Sequence, residues 1–312
     1  MKPVLVDVAF GAYNHAEHVS RAIESVLRQK TKFGVRLVIA DDCSTDGTRA
    51  IVSAYEERYS DQIETFLDDK HRGLLDSKRA YIRVLNHCNA KYIATLEGDD
   101  YWCDINKLQK QVDFLESHPE FALCHHRVRI MHHGVCGNDR FTAQNPPVSS
   151  VEDLIRRNVR VHTCSLVMRN MINGCLPKWY HKITAGDYVL SILAADGGKV
   201  GFMNETMGVY RRHPKGVSSQ LVEMAVSRQR RLRMILRHLK TYYYLNKQLD
   251  RRYEEVFAQE MCKRLRESFS YFKKDELSCA GVVNILLYVF FWLFRTGRFR
   301  DCIGVLCETP LR

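Results

Sequence analysis

No Cys-x-x-Cys pair occurs among the 11 cysteines of this 312-residue chain, and their number is odd. A disulfide framework is therefore not expected, and a reducing compartment is. The two common glycine-rich phosphate loops are missing as well. No Gly-x-Gly-x-x-Gly follows the first apolar run, and Gly-x-x-x-x-Gly-Lys-Ser/Thr is absent. Internal repeats and low-complexity tracts are also lacking. A strand is expected from residue 4, which leaves no room for a cleaved leader.

The net charge is +11, and it is unevenly placed. From Ser219 onward there are 18 Lys and Arg against 10 Asp and Glu, so most of the excess lies in the last third. An anionic lipid surface or a nucleic acid could meet such a region. The length allows two domains, or one α/β domain with an appendage.

The first hundred residues alternate between short apolar runs and amphipathic stretches. Strands are expected at 4–10, 35–40, 63–67 and 92–97, with a helix carrying Val19, Ile23, Val26 and Leu27 on one face, and helices at 48–59 and 75–88, between them. This β-α-β-α-β-α-β order predicts a mainly parallel sheet with right-handed crossovers. A helix is expected from Lys107 to Leu115, a strand at 121–131 and another at 162–169. Short strands are expected at 200–203 and 208–210.

Two of the strands end in aspartates. One runs into Asp41-Asp42-Cys43-Ser44-Thr45-Asp46-Gly47-Thr48, the other into Glu97-Gly98-Asp99-Asp100-Tyr101-Trp102. In a parallel sheet both turns emerge on one edge, where ligands of open α/β sheets bind. Crowded carboxylates repel one another, and a divalent cation with a bound diphosphate would relieve that repulsion. Tyr13 is expected beside them, placed to stack on a base. Cys124, His125, His126, His132, His133 and Cys136 also lie close in sequence. Adjacent strand residues face opposite ways, however, and no closed structural zinc spacing is met. Asp187 opens a helical pattern, either as a first-turn acid or as a general base.

Taken in order, the turn at 41–48, the acidic turn at 97–102 followed by Lys107-Leu108-Gln109-Lys110-Gln111, Gly186-Asp187, and Tyr210-Arg211-Arg212-His213 resemble the family 2 glycosyltransferases of GT-A fold. The resemblance covers residues 3–219. It implies an α/β, GT-A, Rossmann-like mainly parallel sheet flanked by helices, with a C-terminal helical extension. It also implies inverting transfer of a sugar from a nucleotide diphosphate sugar to a hydroxyl of a surface polysaccharide or lipid-linked glycan, assisted by Mn²⁺ or Mg²⁺. By position, Asp187 is the catalytic base. Tyr13, Asp41, Asp42, Asp99 and Arg72 are nucleotide-sugar contacts, and Asp100 and His213 are metal ligands. Three positions depart from the family pattern. Glu97 replaces an aspartate, Gly186 stands where many relatives have glutamate, and Phe10-Gly11-Ala12 replaces a Pro-Thr/Ser-Tyr opening.

The expected division is a transferase domain at 1–218 and a basic helical region at 219–312. Two long helices are expected at 220–246 and 247–272. An apolar segment at 281–294 is too short to span a bilayer, so it is read either as an interfacial anchor or as a helix packed on the protein. These features predict a cytoplasmic protein, peripheral on the cytoplasmic face of the membrane, with homo-oligomerisation through the C-terminal helices as a further expectation. No nucleic-acid partner is expected. The competing readings are a nucleotidyltransferase or polymerase-type metal enzyme and a basic nucleic-acid-binding module.

Overall fold

The structure, a computed structural model, describes residues 2–69, 78–132, 134–139, 142–183, 186–214, 216 and 228–270. Arg72 and the segment 281–294 lie outside the described residues. The chain divides into two compact units, Met1–Ser219 and Gln220–Arg312.

In the first unit the alternating pattern folds as β1 (Val4–Ala12), α1 (Val19–Leu27), β2 (Gly34–Asp41), α2 (Thr48–Arg58), β3 (Ile63–Leu67), α3 (Lys78–His87) and β4 (Tyr92–Glu97). Then follow β5 (Tyr101–Trp102), α4 (Lys107–Ser117), β6 (Phe121–His132), β7 (Val135–Asn138), β8 (Val148–Ser149), α5 (Val151–Ile155), β9 (Val167–Arg169), α6 (Gly186–Ala194) and β10 (Lys199–Arg212). The apolar spacing of α1 explains its packing, because Val19, Ala22, Ile23 and Val26 share one buried face.

The strands form one mixed sheet in the order β3-β2-β1-β4-β9-β6-β10-β5, with β7 on β6 and β8 on β10. Its long ladders are parallel: β1 with β2 and β4, β2 with β3, and β6 with β10. The antiparallel ladders are short. Since β9 runs against both β4 and β6, the strands β1, β2, β3, β4, β6 and β10 all point one way. Their C-terminal ends therefore share one edge. That edge gathers the residues after Ala12, Asp41, Glu97 and Arg212.

Two expectations change here. Residues 199–212 are one long strand, not two short ones, and shifts in register beside Thr206 absorb the irregular pattern that hid it. The expected strand at 162–169 is a 3₁₀ turn (Thr163–Ser165) followed by β9. Within the sheet, Asp7 is fully buried but satisfied. Its carboxylate accepts two bonds of 2.9 Å from the Arg36 guanidinium and backbone N–H bonds from Asn89 and Ala90.

The second unit contains α7 (Arg228–Gln248) and α8 (Glu254–Ser270). The break falls later than expected because Asp250 and Arg251 take left-handed backbone angles. The Tyr242 and Phe257 rings, one from each helix, lie 5.8 Å apart. No helix among the described residues is long and apolar enough to cross a membrane.

Candidate active site

The turns after β1 and β2 hold each other. Three consecutive backbone N–H groups, those of Asn14, His15 and Ala16, donate to Ser44 Oγ, Thr48 Oγ1 and Asp46 Oδ2 at 2.9, 2.8 and 3.0 Å. In return Thr45 N–H donates to Asn14 Oδ1 at 2.8 Å. Asn14 and Cys43 take left-handed angles to make this fit. The Ser, Thr and Asp of the second turn are thus scaffold for the first.

Asp41 belongs to the same scaffold. Expected as a donor contact, it is fully buried and accepts both the Ser44 hydroxyl and the Ser44 N–H. Asp42 is buried close to Tyr13. Burial raises the Tyr13 phenol above its ordinary range, and the Asp42 charge raises it further.

The acidic turn is clamped by β10. Pairing of β5 with β10 sets Trp102 opposite Gly208 and Tyr101 opposite Val209. Arg211 then donates its N–H to Asp100 Oδ1 at 2.7 Å and its Nε–H to the Asp99 carbonyl at 2.8 Å. Two residues on, His213 Nε2 meets Asp99 Oδ2 at 3.0 Å. His15 Nε2 lies 3.9 Å from the same oxygen.

The three acids of this turn have separate environments. Burial would raise the Asp99 carboxyl, but the His213 hydrogen bond and the charges of His15 and His213 outweigh it and hold it low. Burial raises Asp100 well above the usual carboxylate range, and the Asp99 charge adds to this. Asp100, expected as a metal ligand, is only 1% exposed; its Oδ1 accepts the Arg211 N–H, and its Oδ2 is buried without a hydrogen-bond partner. The carboxylate that meets His213 is Asp99.

Glu97 faces another way. Burial raises it well above the usual range, with Asp99 and Asp187 contributing. Its Oε2 occupies the space a Cβ at position 11 would need, 2.8 Å away, and β1 pairs Gly11 directly with Glu97. Two departures from the family pattern are therefore one feature, because the longer acid requires glycine on the neighbouring strand.

Asp187 sits in the first turn of α6. The helix start is steadied by Tyr180, whose hydroxyl donates to the Gly186 carbonyl at 2.7 Å. The Asp187 charge reaches Glu97, Tyr81 and Tyr180 and raises all three, in each case second to burial or to nearer charges. Asp187 is thus within charge range of Glu97, two residues before the Asp99 that His15 and His213 surround.

Among the described residues, His15, Asp99 and His213 offer one ligand atom each, all within 4.8 Å of one another, a donor set that fits a divalent cation. His15 is not among the residues expected from sequence. The usable signal was its place two residues beyond Tyr13, on the edge that also carries Asp99. His125 and His126 are fully buried, which removes them from any open site.

Comparison with known proteins places the fold and the family. Residues 7–176 match the family described as Glycosyl transferase family 2. An uncharacterized protein of Mycobacterium tuberculosis is 35% identical over 215 residues, which is 66% of this chain and 58% of that one. The chain thus spans little more than half the length of that relative. The Escherichia coli UDP-Glc:alpha-D-GlcNAc-diphosphoundecaprenol beta-1,3-glucosyltransferase WfaP is 28% identical over 117 residues, 38% of this chain and 43% of that one. Among solved structures, the Pyrobaculum calidifontis mannosyltransferase PcManGT, in complex with GDP-Man and Mn²⁺, superposes with a TM-score of 0.54 at 14% identity. That superposition covers 98% of this chain and 87% of that one. S. aureus TarS 1–349 in complex with UDP-GlcNAc gives 0.53 at 14%, over 96% and 93%. With more than half of its length matched, and the sheet edge built as described, this chain belongs to glycosyl transferase family 2 and has the GT-A fold.

Proposed function

We propose that the chain transfers a sugar from a nucleotide diphosphate sugar to an acceptor hydroxyl, with inversion at the anomeric carbon and Asp187 as general base. The reading is supported by Asp187 standing in the first turn of α6, where its charge reaches Glu97, two residues before the Asp99 that meets His213. Inversion is a single in-line displacement. The acceptor oxygen bonds to the anomeric carbon as that carbon's bond to the diphosphate oxygen breaks, and the hydroxyl proton passes to the Asp187 carboxylate. Glu97, held toward its neutral form, adds little charge to that carboxylate's surroundings. Tyr13 and Asp42 receive the nucleobase and ribose. A divalent cation held at Asp99 and His213, Mn²⁺ or Mg²⁺, would stabilise the charge on the leaving diphosphate.

The acceptor is a surface polysaccharide or lipid-linked glycan, a reading supported by the diphosphoundecaprenol-linked acceptor in the name of the E. coli relative. Residues 1–218 carry the reaction. The basic region 219–312 holds the protein peripherally on the cytoplasmic face of the membrane.

The test is a thermal-shift screen of UDP, GDP, CDP and dTDP, with and without Mn²⁺, followed by transfer assays on Asp187→Asn. One diphosphate should raise the melting temperature. The variant should keep that shift and lose transfer by at least ~10²-fold. An Asp187→Asn enzyme with full activity refutes the base assignment.

A further inference from the structure

His15 is positioned more tightly than a surface histidine requires. Its backbone N–H is fixed on Thr48 Oγ1, between the Asn14 and Ala16 anchors. Its ring rests on Gly98, where an added Cβ would fall 2.7 Å from His15 Nδ1 and 3.3 Å from the Gly11 carbonyl oxygen. Only glycine in the middle of the acidic turn admits the ring. Nδ1 is buried without a hydrogen-bond partner, and Nε2 is aimed at Asp99 Oδ2, 3.9 Å away. His213 Nε2 approaches the same oxygen at 3.0 Å. The three side chains are 14–20% exposed, open on one side and packed on the other.

These spacings resemble a coordination shell. Ligands on an ion with bonds of about 2.1 Å stand about 3.0 Å apart when adjacent and about 4.2 Å apart when opposite. Two imidazoles and one carboxylate leave about three positions of an octahedron open. A pair of diphosphate oxygens and a water would complete it.

We infer that His15 is the third protein ligand of a two-histidine, one-aspartate site with Asp99 and His213, and that this site selects a first-row transition ion over Mg²⁺. The inference rests on the donor-binding reading above, since the open positions are assigned to a diphosphate. Its physical basis is ligand type. Mg²⁺ takes oxygen ligands and dehydrates reluctantly, whereas imidazole favours transition ions, with affinity rising from Mn²⁺ to Co²⁺. A site meant for Mg²⁺ would offer carboxylates, and of the three acids in this turn it is Asp99 that meets His213, while Asp100 Oδ1 takes the Arg211 N–H and Glu97 Oε2 lies against Gly11.

The experiment uses the full chain and the metal alone. Electron spin-echo modulation of bound Mn²⁺ counts coordinated imidazoles, and calorimetry ranks Co²⁺, Mn²⁺ and Mg²⁺. Two imidazoles are expected, with Co²⁺ bound more tightly than Mn²⁺ and Mg²⁺ at least ~10-fold more weakly than Mn²⁺. His15→Ala should leave one imidazole and weaken Mn²⁺ by at least ~10-fold. Gly98→Ala, which evicts the ring without deleting it, should do the same. Fewer than two imidazoles on the wild-type protein, or Mg²⁺ binding as tightly as Mn²⁺, overturns the inference, and that count needs no variant to fold. Sugar transfer that persists in EDTA, together with fewer than two imidazoles, sinks this inference and leaves the transfer reading. Two imidazoles with no nucleotide diphosphate bound and no transfer sinks the transfer reading and leaves the metal site.

Discussion

Replacing Lys107 with methionine should stabilise the protein at neutral pH and flatten the pH dependence of its stability. The Lys107 side chain is fully buried, its Nζ has no hydrogen-bond partner, and it lies 4.0 Å from the centroid of the Trp102 ring. Burial lowers its pKa from 10.5 to about 7. The folded protein therefore releases this proton near pH 7, while the unfolded chain holds it to about pH 10.5. Between those limits the unfolded state binds more protons, so wild-type stability rises with pH through the window. At about 1.36 kcal/mol per pH unit the whole window is worth roughly 5 kcal/mol. Methionine keeps the stem and removes the charge. Urea denaturation followed by tryptophan fluorescence at pH 7, 8, 9 and 10 measures both proteins. The variant should lead by roughly 5 kcal/mol at pH 7, and its lead should shrink steeply toward pH 10. A difference that stays constant across the window would refute the reasoning, because Lys107 would then not change charge on unfolding.

Asp7→Ala leaves two backbone N–H groups without their acceptor and the Arg36 guanidinium with only Asn89 Oδ1 and Glu64, and should cost about 3 kcal/mol in chemical denaturation. Asp99→Ala should abolish Mn²⁺-dependent binding of a nucleoside diphosphate. Asp100→Asn, which can still accept the Arg211 N–H, should retain it, and calorimetry on the pair separates the two roles. Gly11→Ala should displace the Glu97 side chain and lower transfer activity. Pairing it with Glu97→Asp, one methylene shorter, should restore part of the loss, and a double variant no better than Gly11→Ala argues against the strand-to-strand fit.

The fold was largely legible because its evidence is local. Val19, Ile23 and Val26 recur at helical spacing, the strands are short β-branched runs, and their alternation with helices leaves few topologies. The long strand β10 was not legible, because shifts in register break its period beside Thr206. At the site, the aspartate-rich strand ends could be read as a shared edge, since parallel strands deliver their C-terminal residues together. The division of labour could not. Whether Asp41 meets a ligand or its own Ser44 is settled by the fold of a three-residue turn, and whether Asp99 or Asp100 faces His213 depends on a clamp by Arg211, more than a hundred residues away. Pairing across that separation leaves no periodic trace. The link between Gly11 and Glu97 was likewise visible only as two unrelated departures until the register of β1 and β4 joined them.

One turn supplies both kinds of chemistry the proposed reaction needs. A base wall works best with few fixed charges near the acceptor hydroxyl, and a diphosphate-metal wall needs a full negative charge to hold its cation. Residues 97 and 99 are two apart and face different surroundings. Burial, with the charges of Asp99 and Asp187 adding to it, drives Glu97 toward its neutral form, while His213 and His15 keep Asp99 ionised despite its burial. Environments that push neighbouring acids apart in this way mark separate roles in catalytic sites. Gly98 makes the separation feasible, because its missing side chain lets His15 enter between the two. A side chain at position 98 would therefore disturb the metal side first. Its effect should appear in cation affinity before it appears in the acceptor chemistry at Asp187.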